Sequence, residues 1–297
     1  MQRVLVSGVS GPIGAALLPS LEEKGYEIVR LVRGSAKSDG QIPWDPQSSL
    51  SPAYVGGFET VIHLAGESIV GRWTDAKRKA ILDSRVAGTR SIATALAQAD
   101  RKPRLFVCAS AIGFYGSRGD EILDESSSPG QGFLPDVCCQ WEQASRIAAD
   151  AGIRTVNVRI GLVLSRQGGA LPQMLPPFKL GLGGRLGSGK QWWSWIHVND
   201  IVGAIHHAIQ TESISGPLNL VAPNPEQNDK FTEVLASVLH RPAIFPVPKL
   251  ALYAAFGRMA AEELLLSSER VKPGKLENTG FSFRFPQLRG ALDNLLR

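Results

Sequence analysis

The sequence predicts an α/β fold: a doubly wound parallel sheet with a smaller C-terminal lobe. Three observations carry this. Short β-branched runs alternate with helical patterns through the first half of the chain. A Gly-rich turn follows the first apolar run at once. The alternation stops after Gly161, where Gly and Pro become frequent. At roughly 150 residues per domain, 297 residues make one large domain or two small ones. Hydrophobic residues at 43% and charged residues at 20% exclude a disordered chain.

Each element has a local reason. Arg3–Val6 is an apolar strand. Residues 13–24 have helical periodicity and stop at Gly25. Residues 27–32 form a second strand, and residues 60–64 another, ending in Ala65 and Gly66. Residues 74–99 are a long helix with Thr74 as its N-cap. Residues 105–110 form a strand, 136–151 a helix stopped by Gly152, and 154–159 a strand. Residues 166–195 are rich in Gly and Pro and contain Trp192, Trp193 and Trp195. Residues 196–208 read as helical after their first positions, and 218–221 as a strand. Residues 231–239 and 250–266 read as helices. The end, 281–296, reads as a strand and then a helix. The main domain is expected over 1–165 with 196–222 returning to it. The lobe is expected over 166–195 and 223–297.

The net charge is +5, and its basic residues are scattered. Clusters such as Lys77-Arg78-Lys79 read as solvated surface. A nucleic-acid partner would leave a concentrated basic stripe, so none is expected. No stretch approaches the roughly 18–20 apolar residues of a membrane helix. The three cysteines, Cys108, Cys138 and Cys139, form no disulfide framework, and no cluster has metal-ligand spacing. The expected location is the cytoplasm.

The strongest functional signal is Gly8-Val9-Ser10-Gly11-Pro12-Ile13-Gly14, spaced G-x-x-G-x-x-G. It follows a strand and opens a helix. Its glycines let the backbone approach a pyrophosphate, and the helix N-terminus supplies free N–H groups. Gly8, Gly11, Pro12, Ile13 and Gly14 are therefore candidate dinucleotide contacts. The second strand ends at Val32-Arg33. An acid there would bind the ribose hydroxyls of NAD; Arg33 suits the 2′-phosphate of NADP. Arg85 falls on the apolar face of the long helix with Ile81, Ile92 and Leu96. A buried Arg needs a partner: a structural carboxylate, a cofactor phosphate or ribose, or an active-site acid. Gly88 on the same face permits close approach of helix and sheet.

Together these pieces resemble the extended short-chain dehydrogenase/reductase superfamily. Residues 63–67, His-Leu-Ala-Gly-Glu, look like its cofactor loop after strand four. Residues 109–116, Ala-Ser-Ala-Ile-Gly-Phe-Tyr-Gly, look like its strand-five motif. Residues 159–164 and 195–200 resemble its strand-six and His-Val-x-Asp segments. Arg72-Trp73, Trp141-Glu142, the run 174–184, and the tail 270–273 with Gly280-Phe281 are similar to one subgroup. That subgroup is the epimerase family with a C-terminal domain of unknown function. The resemblance covers almost the whole chain. It implies a Rossmann-type domain with a small substrate lobe. It also implies NADP as cofactor, with Leu64, Ala65, Gly66, Ser110 and Leu162 as further cofactor contacts.

One departure is informative. The superfamily's Tyr-x-x-x-Lys pair falls on Leu134 and Cys138, and the usual Ser falls on Ala111. None of the four tyrosines has Lys four residues on. Tyr115 and Ser110, near the carboxyl ends of strands, become the catalytic candidates, with Glu67, Cys138 and His197 as other proton-transfer groups. The three tryptophans could wall a pocket, cover the lobe's core or form a dimer contact. The expected activity is that of an NADP-dependent oxidoreductase or nucleotide-sugar-epimerase-like protein acting on an unidentified small molecule. A homodimer is left open. The alternative is a non-catalytic NADP-binding sensor or scaffold, linked to cell division as some relatives are labelled.

Overall fold

A computed structural model describes residues 2–297. Seven parallel strands form the central sheet: β1 (Arg3–Ser7), β2 (Glu27–Val32), β3 (Gln41–Pro43), β4 (Thr60–His63), β5 (Leu105–Ala111), β6 (Arg154–Ile160) and β7 (Gly216–Leu220). Their order is β7-β6-β5-β4-β1-β2-β3. This is the dinucleotide-binding order with one strand added, and its direction reverses between β1 and β4. Val4 sits in register with Ile28 on one side and Thr60 on the other. Val4, Leu5, Ile62, Phe106, Val107 and Val158 are fully buried, as strands covered on both faces require.

The helices are α1 (Pro12–Glu23), α2 (Asp75–Gln98), α3 (Phe133–Asp150), α4 (Leu171–Lys179), α5 (Val198–Gln210), α6 (Asn228–Leu239), α7 (Lys249–Phe256) and α8 (Leu288–Leu296), with shorter turns between. Thr74 caps α2, its side chain accepting from the Lys77 N–H at 3.2 Å. Ser20 on α1 bonds His206 on α5 at 2.9 Å. Trp141 on α3 donates to Thr89 on α2 at 2.8 Å. A second apolar core joins Leu171 and Phe178 of α4 to Trp195, Phe231, Leu235 and Leu292.

The structure adds one helix to the sequence reading and corrects three expectations. The Gly/Pro-rich stretch contains α4, in which Pro176 and Pro177 sit inside a helix pinned by buried Leu171 and Phe178. The helix expected over 250–266 breaks at Gly257, whose φ is +81°, and resumes as a short turn and a π-helical segment, Ala261–Leu265. The segment from Phe281 is not a strand: the Arg284 and Phe285 N–H groups donate to the Asp200 carboxylate at 2.8 and 2.9 Å. Gly88 admits the Trp44 ring and Pro46 rather than the sheet.

The C-terminal part packs back on the main domain without joining its sheet. Arg270–Val271 pairs in parallel with Ile122–Leu123. Leu276, Phe281 and Phe283 pack into the main core. Among the described residues, no helix is long and apolar enough to cross a membrane.

Candidate functional site

The crevice lies at the carboxyl end of the sheet where strand order reverses, the usual ligand position in open α/β sheets. Gly8 has a φ of +75°, and a Cβ there would lie 2.5 Å from the Leu64 carbonyl carbon. A Cβ on Gly14 would lie 2.6 Å from the Val9 Cα. Only glycine permits this turn. The Gly11 N–H donates to the Gly8 carbonyl at 3.2 Å, closing it. Gly11 is the N-cap of α1 and has no side chain to accept the first N–H groups; Pro12 follows without one of its own. The Ile13 and Gly14 N–H groups thus open an anion site at the helix's positive end. A cavity of about 80 Å³ is lined by Gly8, Gly11, Pro12, Ile13, Gly14 and Leu64, with Ala109 and Ile160 as its floor. Five predicted turn residues and Leu64 thus meet in one place.

Arg33 is exposed just beyond β2, while Val32 accepts the Trp44 N–H at 2.8 Å. Glu67 is held below its usual carboxylate range by its hydrogen bond from Lys77 at 2.7 Å, and the charges of Arg33 and Arg85 add to this. Arg33, Lys77 and Arg85 thus all act on the Glu67 carboxylate, on the loop that follows β4. The sequence assigned Lys77 to solvated surface; its link to Glu67, ten positions earlier, bridges an irregular loop. Arg85 has no carboxylate partner among the described residues. Its Nη1 donates to the Glu67 and Ile81 carbonyls at 3.0 and 3.1 Å, and its guanidinium lies over the Trp141 ring, 5.0 Å from the centroid. It also packs on Gly66.

Ser110 and Tyr115 belong to a buried network behind this surface. The Ser110 hydroxyl donates to Glu142 Oε1 at 2.7 Å. Arg159 grips the same carboxylate with two bonds, Nε to Oε1 at 2.8 Å and Nη2 to Oε2 at 2.9 Å. Its Nη1 donates to the Tyr115 hydroxyl at 2.9 Å, and Tyr115 donates to Asn219 Oδ1 at 2.8 Å. Tyr115 is 0% exposed, and burial pushes its phenol up to about 12. It lines neither the crevice nor the cavity described next. Neither Glu142 nor Arg159 stood out in the sequence as a pair. Leu162 pairs with Trp195 in a short two-stranded sheet.

A second cavity, of about 160 Å³, opens between the start of α3 and the π-helical segment. Gly113 and Leu134 form one wall; Glu262, Glu263, Leu266, Ser267 and Glu269 form the other. Leu134 is the residue on which the sequence reading sets the superfamily's Tyr. Cys138, set at the Lys position by the same reading, is 2% exposed, and burial pushes its thiol up to about 12. Glu263 caps α3, accepting from the Phe133 and Leu134 N–H groups at 3.0 and 2.7 Å. His197 caps α5 through Nδ1 and stacks on Phe285 at 3.9 Å. Trp193 and Trp195 pack in the second core, and Trp192 donates to Asp120. Covering the lobe is thus the role the structure gives those two rings.

Comparison with known proteins places the chain. Residues 4–220 match the NAD dependent epimerase/dehydratase family, and residues 247–295 match a domain of unknown function, DUF1731. Epimerase family protein Mb2239 of Mycobacterium bovis is 38% identical over 97% of this chain and 96% of its own. Human epimerase family protein SDR39U1, solved with NADPH, has a TM-score of 0.91 at 36% identity over 99% of both chains. A nucleoside-diphosphate sugar epimerase from Corynebacterium glutamicum has a TM-score of 0.84 at 36% identity, over 99% of this chain and 58% of its own. MoeE5, solved with UDP-glucuronic acid and NAD, shares the fold at 21% identity and a TM-score of 0.77. The glycine turn, the reversal of strand order and the C-terminal segments thus agree with these matches, and the chain belongs to the NAD dependent epimerase/dehydratase family.

Proposed function

We propose that this chain binds NADP in the crevice between β1 and β4 and acts as an oxidoreductase or epimerase-like enzyme on a small molecule. The observation that carries the reading is the uncapped N-terminus of α1 behind the Gly8–Gly14 turn, with Arg33 beyond β2. The residues fit the cofactor's chemistry. Ile13 and Gly14 present N–H groups to a pyrophosphate. Arg33, exposed just beyond β2, gives cationic charge where a 2′-phosphate needs it. Leu64, Ala65 and Gly66 follow β4 at the crevice edge. Once bound, the nicotinamide supplies hydride chemistry. The NADPH in the human relative's structure supports the same choice.

Calorimetry with NADPH and NADH tests this. NADPH should bind at least ~10-fold tighter, about 1.4 kcal/mol. Arg33→Asp should narrow or reverse that gap. Equal affinities for the two nucleotides would remove the assignment.

A second reading has its own support. Leu134 and Cys138 stand where the superfamily keeps its proton-transfer pair, and Tyr115 is sealed inside the protein. These features favour a non-catalytic NADP-binding sensor or scaffold. Hydride exchange between bound NADPH and a panel of carbonyl compounds separates the two readings.

A further inference from the structure

The cavity beside Leu134 has a defined size, wall and charge. At about 160 Å³ it is close to the ~150 Å³ cavity that accepts a benzene ring. It therefore has room for a ring-sized molecule. No Lys, Arg or His lines it, while three glutamates do. An anionic ligand would find no counter-charge.

The three carboxylates are not equivalent. Both Glu263 oxygens are committed to the α3 N–H groups, and Glu262 accepts the Tyr253 hydroxyl. Glu269 accepts only from Ser267, at its Oε1, 2.9 Å away. Its Oε2 has no partner among the described residues. Glu269 is fixed through its backbone: its N–H donates to the Trp192 carbonyl at 3.0 Å, and its carbonyl accepts from Ser194 at 2.7 Å. It thus presents a carboxyl group, from a segment held by backbone hydrogen bonds, to a cavity that Leu134 also lines.

We propose that this cavity is the binding site for a small uncharged carbonyl or hydroxyl compound, and that Glu269 is its proton donor and acceptor. The inference rests on the NADP reading above. With the cofactor bound, the reduced nicotinamide would supply a hydride to the carbonyl carbon, and Glu269 would give its proton to the oxygen. That would leave an alcohol, the oxidised dinucleotide and a Glu269 carboxylate, which would regain its proton from water. The surroundings suit the role. Burial is the main cause that lifts the Glu269 carboxyl to about 7; the Ser267 hydrogen bond opposes this, and the Glu263 charge adds to it. The charged and titratable groups facing it are Glu262 and Glu263 from the π-helical segment and Cys138 from α3. A group titrating near neutrality can give and take a proton at working pH.

The test has a binding arm and a turnover arm. In the binding arm, saturation-transfer NMR is recorded with cyclohexanone and with cyclohexanecarboxylate at pH 8. Cyclohexanone should show transfer and the carboxylate none. Gln131→Trp, at the exposed rim, should abolish the cyclohexanone signal while the protein stays folded by circular dichroism. No transfer from cyclohexanone, or transfer unchanged in Gln131→Trp, overturns the site. In the turnover arm, NADPH oxidation is followed with neutral aldehydes and ketones of five to eight heavy atoms. Reduction should slow as pH rises through about 7, because the donor must be protonated. Glu269→Gln should lower kcat at least ~100-fold and flatten that profile, with the Kd for NADPH unchanged. Ligand transfer with no oxidation, or a wild-type rate in Glu269→Gln, overturns the proton-transfer role. Failure of the protein to bind NADPH sinks the underlying cofactor reading instead, and the cyclohexanone signal in the free protein still reports on the cavity.

Discussion

Replacing Glu142 with Leu would remove one half of a buried ion pair and leave the other. Arg159 is 4% exposed, and its guanidinium would lose two charged hydrogen bonds, of 2.8 and 2.9 Å. Ser110 would lose its acceptor as well. The guanidinium cannot swing to water, because it lies 3.5 Å from the Phe114 ring centroid and also holds Tyr115. Breaking a buried pair on one side costs about 3–5 kcal/mol, whereas replacing both partners by apolar groups is often close to neutral. The Glu142 side chain is 14% exposed, so some water relieves the strain, and about 3 kcal/mol is the working figure. Urea unfolding read by tryptophan fluorescence measures this. Glu142→Leu should lose about 3 kcal/mol, and the double variant Glu142→Leu/Arg159→Met should recover most of it. A single variant that costs less than about 1 kcal/mol, or a double variant whose loss equals the sum of the two singles, refutes the argument.

Tyr115→Phe strands Arg159 Nη1 and Asn219 Oδ1, so stability should fall by about 2 kcal/mol while NADPH affinity holds; denaturation and calorimetry read the two separately. Gly8→Ala forces an L side chain into positive φ and onto the Leu64 backbone. It should weaken NADPH binding by roughly tenfold or more and lower the melting temperature, and an unchanged affinity contradicts the close approach argued for that turn. Burial lowers His63 to about 3 and His197 and His206 to about 4, so these groups are neutral in the folded protein near pH 5. The unfolded chain binds protons below about 6.5, so stability should decline as pH falls from 6.5 toward 4, on the order of 3 kcal/mol for His63 and less for the other two. A flat stability profile across that window, from denaturant midpoints, goes against it.

The parts of the molecule that depend on neighbours in sequence were legible. A strand, a glycine turn and a helix lie within the first 23 residues, and their order alone locates the crevice. Thr74 announces α2 for the same reason. What escaped depends on distant partners. Residues 281–285 alternate like a strand, yet find Asp200 and helix α5 rather than a strand to pair with. Pro176 and Pro177 argue against a helix, and two buried side chains outweigh them. Glu142 and Arg159 are separated by 17 positions, a helix end and a strand. Nothing in either residue's local pattern announces the other. Glu269 lies one position before the tail 270–273 and was not singled out, because the cavity it faces is built by a helix more than a hundred residues earlier.

The match to the epimerase family ends at residue 220, and the C-terminal match begins at 247. Contacts ignore that division. Glu263 caps a helix of the first region, Val271 pairs with Leu123 there, and the Lys272 carbonyl accepts from Asn219 at 3.0 Å. Asn219 in turn anchors Tyr115. These contacts tie the C-terminal stretch to α3 and to the end of β7. A recombinant exchange of tails between relatives would have to carry the matching surface of α3 with it, or leave the α3 N–H groups that Glu263 caps without their acceptor.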